Sequence, residues 1–176
     1  MNAILIADKD SKTALSEALE SAVTSILEAR GIEIEVVELA AGDAAPCFGC
    51  LFCLTKHPGE CVSKDLVNDL KKRAQQYTIT IFMTPVVFGH FGSTIKNAID
   101  RIGGSHELQV VIGYGAGMDD EERNTFLDLT AKHRGAADVV HPGMDRQVDV
   151  HVTCGLQDNE RICEAFKQYI ESRREP

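Results

Sequence analysis

Two kinds of strand-like run alternate with helix-like stretches along this chain, and that pattern narrows the folds open to it. Residues 3–7 are a continuous apolar run, and 79–83 and 108–112 are mostly apolar, as expected of strands buried on both faces. Residues 32–39 and 147–152 alternate instead. Ile32, Ile34 and Val36 are set against Glu33 and Glu35, and Val148, Val150 and Val152 against Asp149 and His151. Alternation of period two means that one face of the strand is wet. Between these runs lie stretches of helical spacing. Leu15, Leu19, Ala22, Ile26 and Ala29 mark a helix over 13–30 that Gly31 stops. Leu66, Leu70 and Ala74 mark another over 65–76, and helices are expected over 93–102, 119–134 and 158–172.

Strands that alternate with helices imply a parallel sheet covered by helices on both faces. The two half-wet strands are the second and the fifth. In a doubly wound α/β sheet of five strands in the order 2-1-3-4-5, those are the two edges. A six-stranded dinucleotide-binding sheet would need one more strand. Gly113, Gly115 and Gly117 also fail its G-x-G-x-x-G fingerprint, because Met118 stands where the third glycine is needed. A chain of 176 residues can bury a sizeable core in one domain, so residues 1–176 are expected to form a single domain with a cysteine-rich loop at 45–63.

That loop carries the most distinctive chemistry. Cys47, Cys50, Cys53 and Cys61 fall at C-x2-C-x2-C-x7-C. Two adjacent C-x2-C steps let three thiolates converge on one centre, the way iron–sulfur clusters are held, and four would suit [4Fe–4S]. Three other readings remain. A zinc site more often uses two separated ligand pairs. Disulfides need an oxidising compartment. Unrelated cysteines pack as small hydrophobes. His57 lies inside the loop, either as a spare ligand or as a solvated side chain. Cys154 and Cys163, far apart in sequence, read as packing residues.

Lys and Arg number 18 against 27 Asp and Glu, a formal charge of −9, which argues against nucleic acid or an acidic membrane as partner. The first residues carry no basic segment of a secretory leader, and no apolar run approaches a membrane span. A cytoplasmic location is expected, where six cysteines read as metal ligands or redox groups.

In such a sheet a ligand sits beyond the carboxyl ends of the strands, at the switch point between strands 1 and 3. Three loops meet there. The first, residues 8–13, leads into a helix N-terminus suited to phosphate. Ser11 and Thr13 offer hydroxyls and Lys9 and Lys12 offer charge, although Ser11 is equally a helix cap. The second, Thr84-Pro85-Val86-Val87-Phe88-Gly89, can present backbone polar groups to a flat heteroaromatic ring; alternatively, Phe88 and Phe91 cover the core. The third, Gly113-Tyr114-Gly115-Ala116-Gly117, allows close backbone approach and has Tyr114 as a possible ring neighbour, or is a plain strand-to-helix turn.

The cysteine run, Lys64-Asp65, the strand at 79–83, Pro-x-x-Phe-Gly at 85–89, and Lys96 with Asp100-Arg101 together resemble the iron–sulfur flavoproteins. These belong to the NAD(P)H-dependent FMN reductase family of flavodoxin-like proteins. The resemblance covers about residues 45–103 and otherwise only the order of elements. It implies the flavodoxin-like fold, FMN at the strand ends, and a [4Fe–4S] cluster on Cys47, Cys50, Cys53 and Cys61. It also implies electron transfer with NAD(P)H or a small redox protein, and a homodimer or homotetramer. The flavin contacts it implies fall on Thr84, Pro85, Val86, Val87, Phe88 and Gly89, and on Gly113, Tyr114 and Gly115. Asp100 and Arg101 receive a structural or interface role. The first loop departs from the family: it lacks the usual Arg, keeps Ser11-x-Thr13, and places Asp8 and Asp10 near the expected phosphate.

No Ser/His/Asp arrangement suggests a catalytic side chain, so the chemistry would belong to the cofactors. The leading expectation is an FMN-dependent electron-transfer oxidoreductase with a cluster. Two rivals are an NAD(P)H-dependent FMN or quinone reductase without one, and a non-enzymatic module that has lost FMN and uses its cysteines for metal or thiol redox.

Overall fold

A computed structural model of the chain describes residues 1–74, 76–102, 108–140, 147–153, 155 and 159–172, with backbone alone for 133–140, 147–153 and 159. Its elements run β1 (Asn2–Asp8), α1 (Ala14–Glu28), β2 (Glu33–Leu39), a short 3-10 turn, α2 (Phe52–Thr55), α3 (Leu66–Ala74), β3 (Ile79–Val87), β4 (His90–Phe91), α4 (Ser93–Ile102), β5 (Leu108–Tyr114), α5 (Asp120–Val140), β6 (Gln147–Thr153) and α6 (Asn159–Ser172). Cys154 and Asp158 lie outside the described residues.

The main sheet is parallel in the order β2-β1-β3-β5-β6, and β4 pairs only with β3. Counting the long strands alone, this is the expected 2-1-3-4-5, with the two alternating strands at the edges. Because successive side chains of a strand point to opposite faces, the sheet feeds two cores. Ala3, Leu5, Ile79, Ile81, Val110 and Ile112 pack with Leu19 and Val23 of α1 and Phe166 and Ile170 of α6. Ile4, Ile6, Phe82 and Val111 pack with Leu70 of α3, Ile95 and Ile99 of α4 and Phe126 of α5. Helices therefore cover both faces. Cys163 packs against the first core as a partly buried residue, as expected of it.

Among the boundaries that differ from the sequence expectation, three stand out. First, β3 does not end at Met83. It continues through Thr84, Pro85, Val86 and Val87 and turns at Phe88–Gly89 into β4, pairing Val87 with His90 and Val86 with Phe91. Both turn residues have positive φ, 50° and 71°. Two left-handed residues in a two-residue hairpin are the signature of a type I′ turn. Sequence reading missed it because Phe-Gly is not one of that turn's preferred pairs. Second, β5 runs two residues beyond Ile112 to Tyr114. Third, α5 passes the expected end at Arg134 and reaches Val140. A glycine inside a helix costs about 1 kcal/mol, too little for Gly135 to stop it. No described helix is long and apolar enough to cross a membrane.

Candidate functional site

The first loop leaves β1 at Asp8, which is only 4% exposed. Its Oδ1 accepts hydrogen bonds from the backbone amides of Asp10 and Ser11, each at 3.0 Å. Asp10 Oδ2 accepts from the Ala41 amide at 2.8 Å. The cap of α1 is Thr13 rather than Ser11: Thr13 Oγ1 accepts from the Ser16 amide at 3.2 Å, and Ser16 Oγ from the Thr13 amide at 2.9 Å. Such a reciprocal box fixes the helix start. Lys12 pairs with Glu38 on β2 and stands 4.0 Å from Glu20. The hydrogen bond to Glu38, helped by the charges of Glu20, Glu38 and Glu17, raises its pKa against an opposing desolvation. The ammonium is thus directed along the surface of α1 and β2.

The second loop is the β3–β4 hairpin. Gly92 donates its amide to Pro85 O at 2.9 Å and to Thr84 Oγ1 at 3.0 Å, and Thr84 Oγ1 donates to Pro85 O. A Cβ on Gly92 would meet Pro85 Cγ at 2.7 Å, and one on Gly89 would meet Thr125 Cβ at 2.8 Å. The hairpin is therefore pressed against its own base and against α5. Only its tip is open, where Val87 and Phe88 are exposed, Phe88 to 90%. A bulky residue at positive φ, with its ring in solvent, is an outlier that folding alone does not favour.

The third loop contributes differently from its sequence reading. Gly113 lies in β5, and a Cβ there would meet Phe126 Cε1 at 2.7 Å and Val86 Cγ2 at 2.8 Å. Core packing thus accounts for that glycine. Gly115 would meet Met118 Cε at 3.2 Å. Tyr114 is 2% exposed and belongs to the core. Its hydroxyl donates to Ser11 O at 3.3 Å, so it ties the third loop to the first. Burial pushes its pKa up to about 12, with a further rise from the nearby Asp8 charge.

In the cysteine loop, Cys47 and Cys50 are exposed and Cys53 and Cys61 half-buried, all as free thiols. Gly49, Leu51 and Gly59 have positive φ, which lets the loop reverse around the short helix α2. All four thiols line one small cleft with Lys71, Asp100 and Arg101. Among the described residues, however, no three His, Cys, Asp or Glu side chains gather closely enough to hold a metal ion. The expected convergence of the close cysteines is not reached in this conformation, because Cys53 is wound into α2 while Cys47 and Cys50 precede it. His57 stacks on Phe52 with ring centroids 4.8 Å apart.

Of what holds this loop in place, the sequence resemblance gave a structural role to Arg101 but not its partners. Arg101, 4% exposed, forms a bidentate pair with Asp65 at 2.5 and 2.6 Å and donates to Ala45 O at 3.1 Å. Asp65 accepts the Ala45 amide at 2.9 Å. Asn68 Oδ1 accepts the Cys61 amide at 2.8 Å, and Asn97 Nδ2 donates to Ala44 O at 2.9 Å. Both ends of the loop are thereby pinned to α3 and α4. Burial pushes the Asp65 carboxyl up, but the Arg101 guanidinium and two amides more than reverse this, leaving it below its ordinary value. Burial likewise opposes ionisation of Cys61, yet a hydrogen bond from the Ser63 backbone and the Arg101 charge hold the thiol below its ordinary value.

Comparison with known proteins bears on this arrangement. Residues 1–125 match the family model described as NADPH-dependent FMN reductase. The chain belongs to this family. An iron–sulfur flavoprotein of Archaeoglobus fulgidus is 30% identical over 115 residues, 60% of this chain and 51% of that protein. One of Methanocaldococcus jannaschii is 34% identical over 83 residues, 47% of this chain and 42% of that protein. The chain thus spans about half the length of the curated relatives it matches. Among solved structures, an NAD(P)H:quinone oxidoreductase of Methanothermobacter marburgensis superposes with a TM-score of 0.70 at 16% identity, covering 100% of this chain and 98% of that one. An archaeal flavodoxin does so at 0.56 and 10% identity, covering 98% of each. At such identities the likeness is one of fold, and the fold is flavodoxin-like.

The residues fit the FMN that the family implies and the cluster that the names of the curated relatives suggest to different degrees. For a cluster, the donor set is four thiols on one cleft, and the Nε of buried Arg101, which lines the same cleft, has no hydrogen-bond partner among the described residues. An N–H donor of that kind suits anionic sulfur. For a flavin, the sheet supplies a switch point between β1 and β3, and Phe88 is exposed at the tip of the hairpin that continues β3. The phosphate end fits less well, since Asp8 and Lys12 are already engaged.

Proposed function

We propose that this protein is a flavin-dependent oxidoreductase of the FMN reductase family that exchanges electrons with NAD(P)H or a small redox protein. In this reading FMN lies at the strand ends, along the first loop, the β3–β4 hairpin and the third loop. A [4Fe–4S] cluster is held by Cys47, Cys50, Cys53 and Cys61. When bound, FMN supplies two-electron exchange with a nicotinamide and one-electron exchange with the cluster. The chain's own part is to position both groups: the Arg101–Asp65 pair steadies the cysteine loop, Arg101 Nε offers a donor to anionic sulfur, and Phe88 offers a ring face at the crevice.

The observation that carries this reading is four cysteines on one cleft beside a buried arginine with an unused N–H. The names of the curated relatives support it. Protein purified without oxygen and reconstituted with iron and sulfide is expected to hold about four iron atoms per chain and to absorb broadly in the visible region. A Cys53→Ser variant is expected to lose that absorbance and keep its flavin bands. Stoichiometric zinc and no flavin would overturn the proposal.

A reductase without a cluster is the second reading. The match to the family model described as NADPH-dependent FMN reductase supports it. Yellow, iron-free protein that oxidises NAD(P)H in the presence of FMN or a quinone would decide for it. In either reading we propose a homo-oligomer, whose interface would cover the exposed apolar side chains of the cysteine loop.

A further inference from the structure

The first loop is filled by the chain's own carboxylate. Where a phosphate monoester would take backbone amides at the entrance to α1, those of Asp10 and Ser11 already point at Asp8 Oδ1 at 3.0 Å each, from a side chain 4% exposed. Further groups at this entrance are engaged as well. Thr13 and Ser16 close the capping box on each other, and Lys12 faces Glu38 and Glu20. Asp10 adds a second carboxylate, bonded to the Ala41 amide. A dianionic phosphate arriving here would have to displace a buried carboxylate from two amides or sit beside it, and like charges at hydrogen-bonding distances repel strongly.

We infer that Asp8 sets the flavin specificity of this chain. It removes the advantage of the 5′-phosphate, so that the crevice takes the isoalloxazine ring and ribityl chain and distinguishes little between FMN and riboflavin. The flavin then exchanges with solution instead of staying as a resident group. This rests on the flavin reading above and narrows it. Asp8 acts as an internal anion in the place of the phosphate, and its charge is the specificity element; its shape matters less, because an asparagine oxygen accepts the same two amides.

Titration of flavin-free protein with FMN and with riboflavin, followed by quenching of flavin fluorescence, tests this directly. The two dissociation constants are expected to agree within about tenfold. Asp8→Asn is expected to tighten FMN by roughly tenfold, the effect of removing one nearby like charge, and to change riboflavin by less than about twofold. A loss of fold would weaken both flavins together and would not change their ratio. A wild-type preference for FMN above about tenfold, or an Asp8→Asn variant that binds riboflavin as the wild type does and shows an unchanged ratio, overturns the inference and leaves the flavin reading standing. If neither flavin binds at millimolar concentration, both fall.

Discussion

Phe88 holds a φ of 50° with its ring 90% exposed. A left-handed conformation costs an ordinary L-residue about 1–2 kcal/mol, and asparagine is the residue the first position of a type I′ turn prefers. Phe88→Asn is therefore expected to raise thermal stability by a few degrees, roughly 1 kcal/mol, while weakening flavin binding by loss of the ring face. A variant that gains stability and keeps its flavin affinity would remove Phe88 from the site. Gly113→Ala tests the opposite kind of position. Its methyl would lie 2.7 Å from Phe126 Cε1, and overpacking of that kind costs about 1–3 kcal/mol, to be read from denaturant midpoints. Tyr114 supplies a pH signature. Its folded pKa is raised to about 12, so the neutral form stabilises the fold fully below the unfolded value near 10. That contribution, about 3 kcal/mol for two units, is lost as pH rises from about 10 towards 12. Tyrosinate absorbance should include a late step that Tyr114→Phe removes.

At the scale of elements, the cysteine loop is held by its neck. The pair Arg101–Asp65 joins α4 to the segment before α3, and the same two side chains bind the backbone of Ala45. Breaking a buried pair by removing one partner costs about 3–5 kcal/mol, because the charge that remains is left uncompensated. Asp65→Asn is expected to destabilise the protein by an amount at the lower end of that range, since Asp65 keeps some exposure, and to speed tryptic cleavage at Lys56 inside the loop. The Asp65 carboxyl is held below its ordinary value, so its contribution is present above the usual carboxylate range, about pH 4. It is lost as pH falls through the lowered folded value. Loop cleavage measured at mildly acidic pH should thus stay slow and rise only on further acidification. Cleavage that is unaffected by Asp65→Asn would show that the neck is held by something else.

At the scale of the whole molecule, the two cores lie on the two faces of the same strands. We propose that the chain folds as one unit. On that basis Phe82→Ala on one face and Phe166→Ala on the other should each cost about 3–5 kcal/mol and leave one cooperative transition in both near- and far-ultraviolet circular dichroism. Two resolved transitions would argue for separate units. Phe48, Leu51 and Leu54 are 70%, 57% and 53% exposed on the cysteine loop. If they form part of a subunit interface, Phe48→Ser with Leu54→Ser should lower the mass measured by light scattering towards the 19.2 kDa of one chain.

The edge places of residues 32–39 and 147–152 were legible from their alternation read within a doubly wound order, although Val36, set on the dry side by that pattern, is 38% exposed. The cysteine spacing and the resemblance it carried were equally local. What escaped sequence reading has no periodic trace. The Phe88–Gly89 hairpin uses a turn that its residues do not favour, and depends on α5 and Gly92 pressing it into shape. Arg101 finds Asp65 across 36 residues only after α3 and α4 have packed side by side. Asp8 closes on the amides of Asp10 and Ser11 within a short segment, yet the consequence for a phosphate emerges only once β1 and β2 set Glu38 beside Lys12. Local pattern fixed which surfaces are buried, because burial repeats along an element. The partners of individual charges were decided by tertiary packing, because those contacts occur once each and between elements that the sequence does not place together.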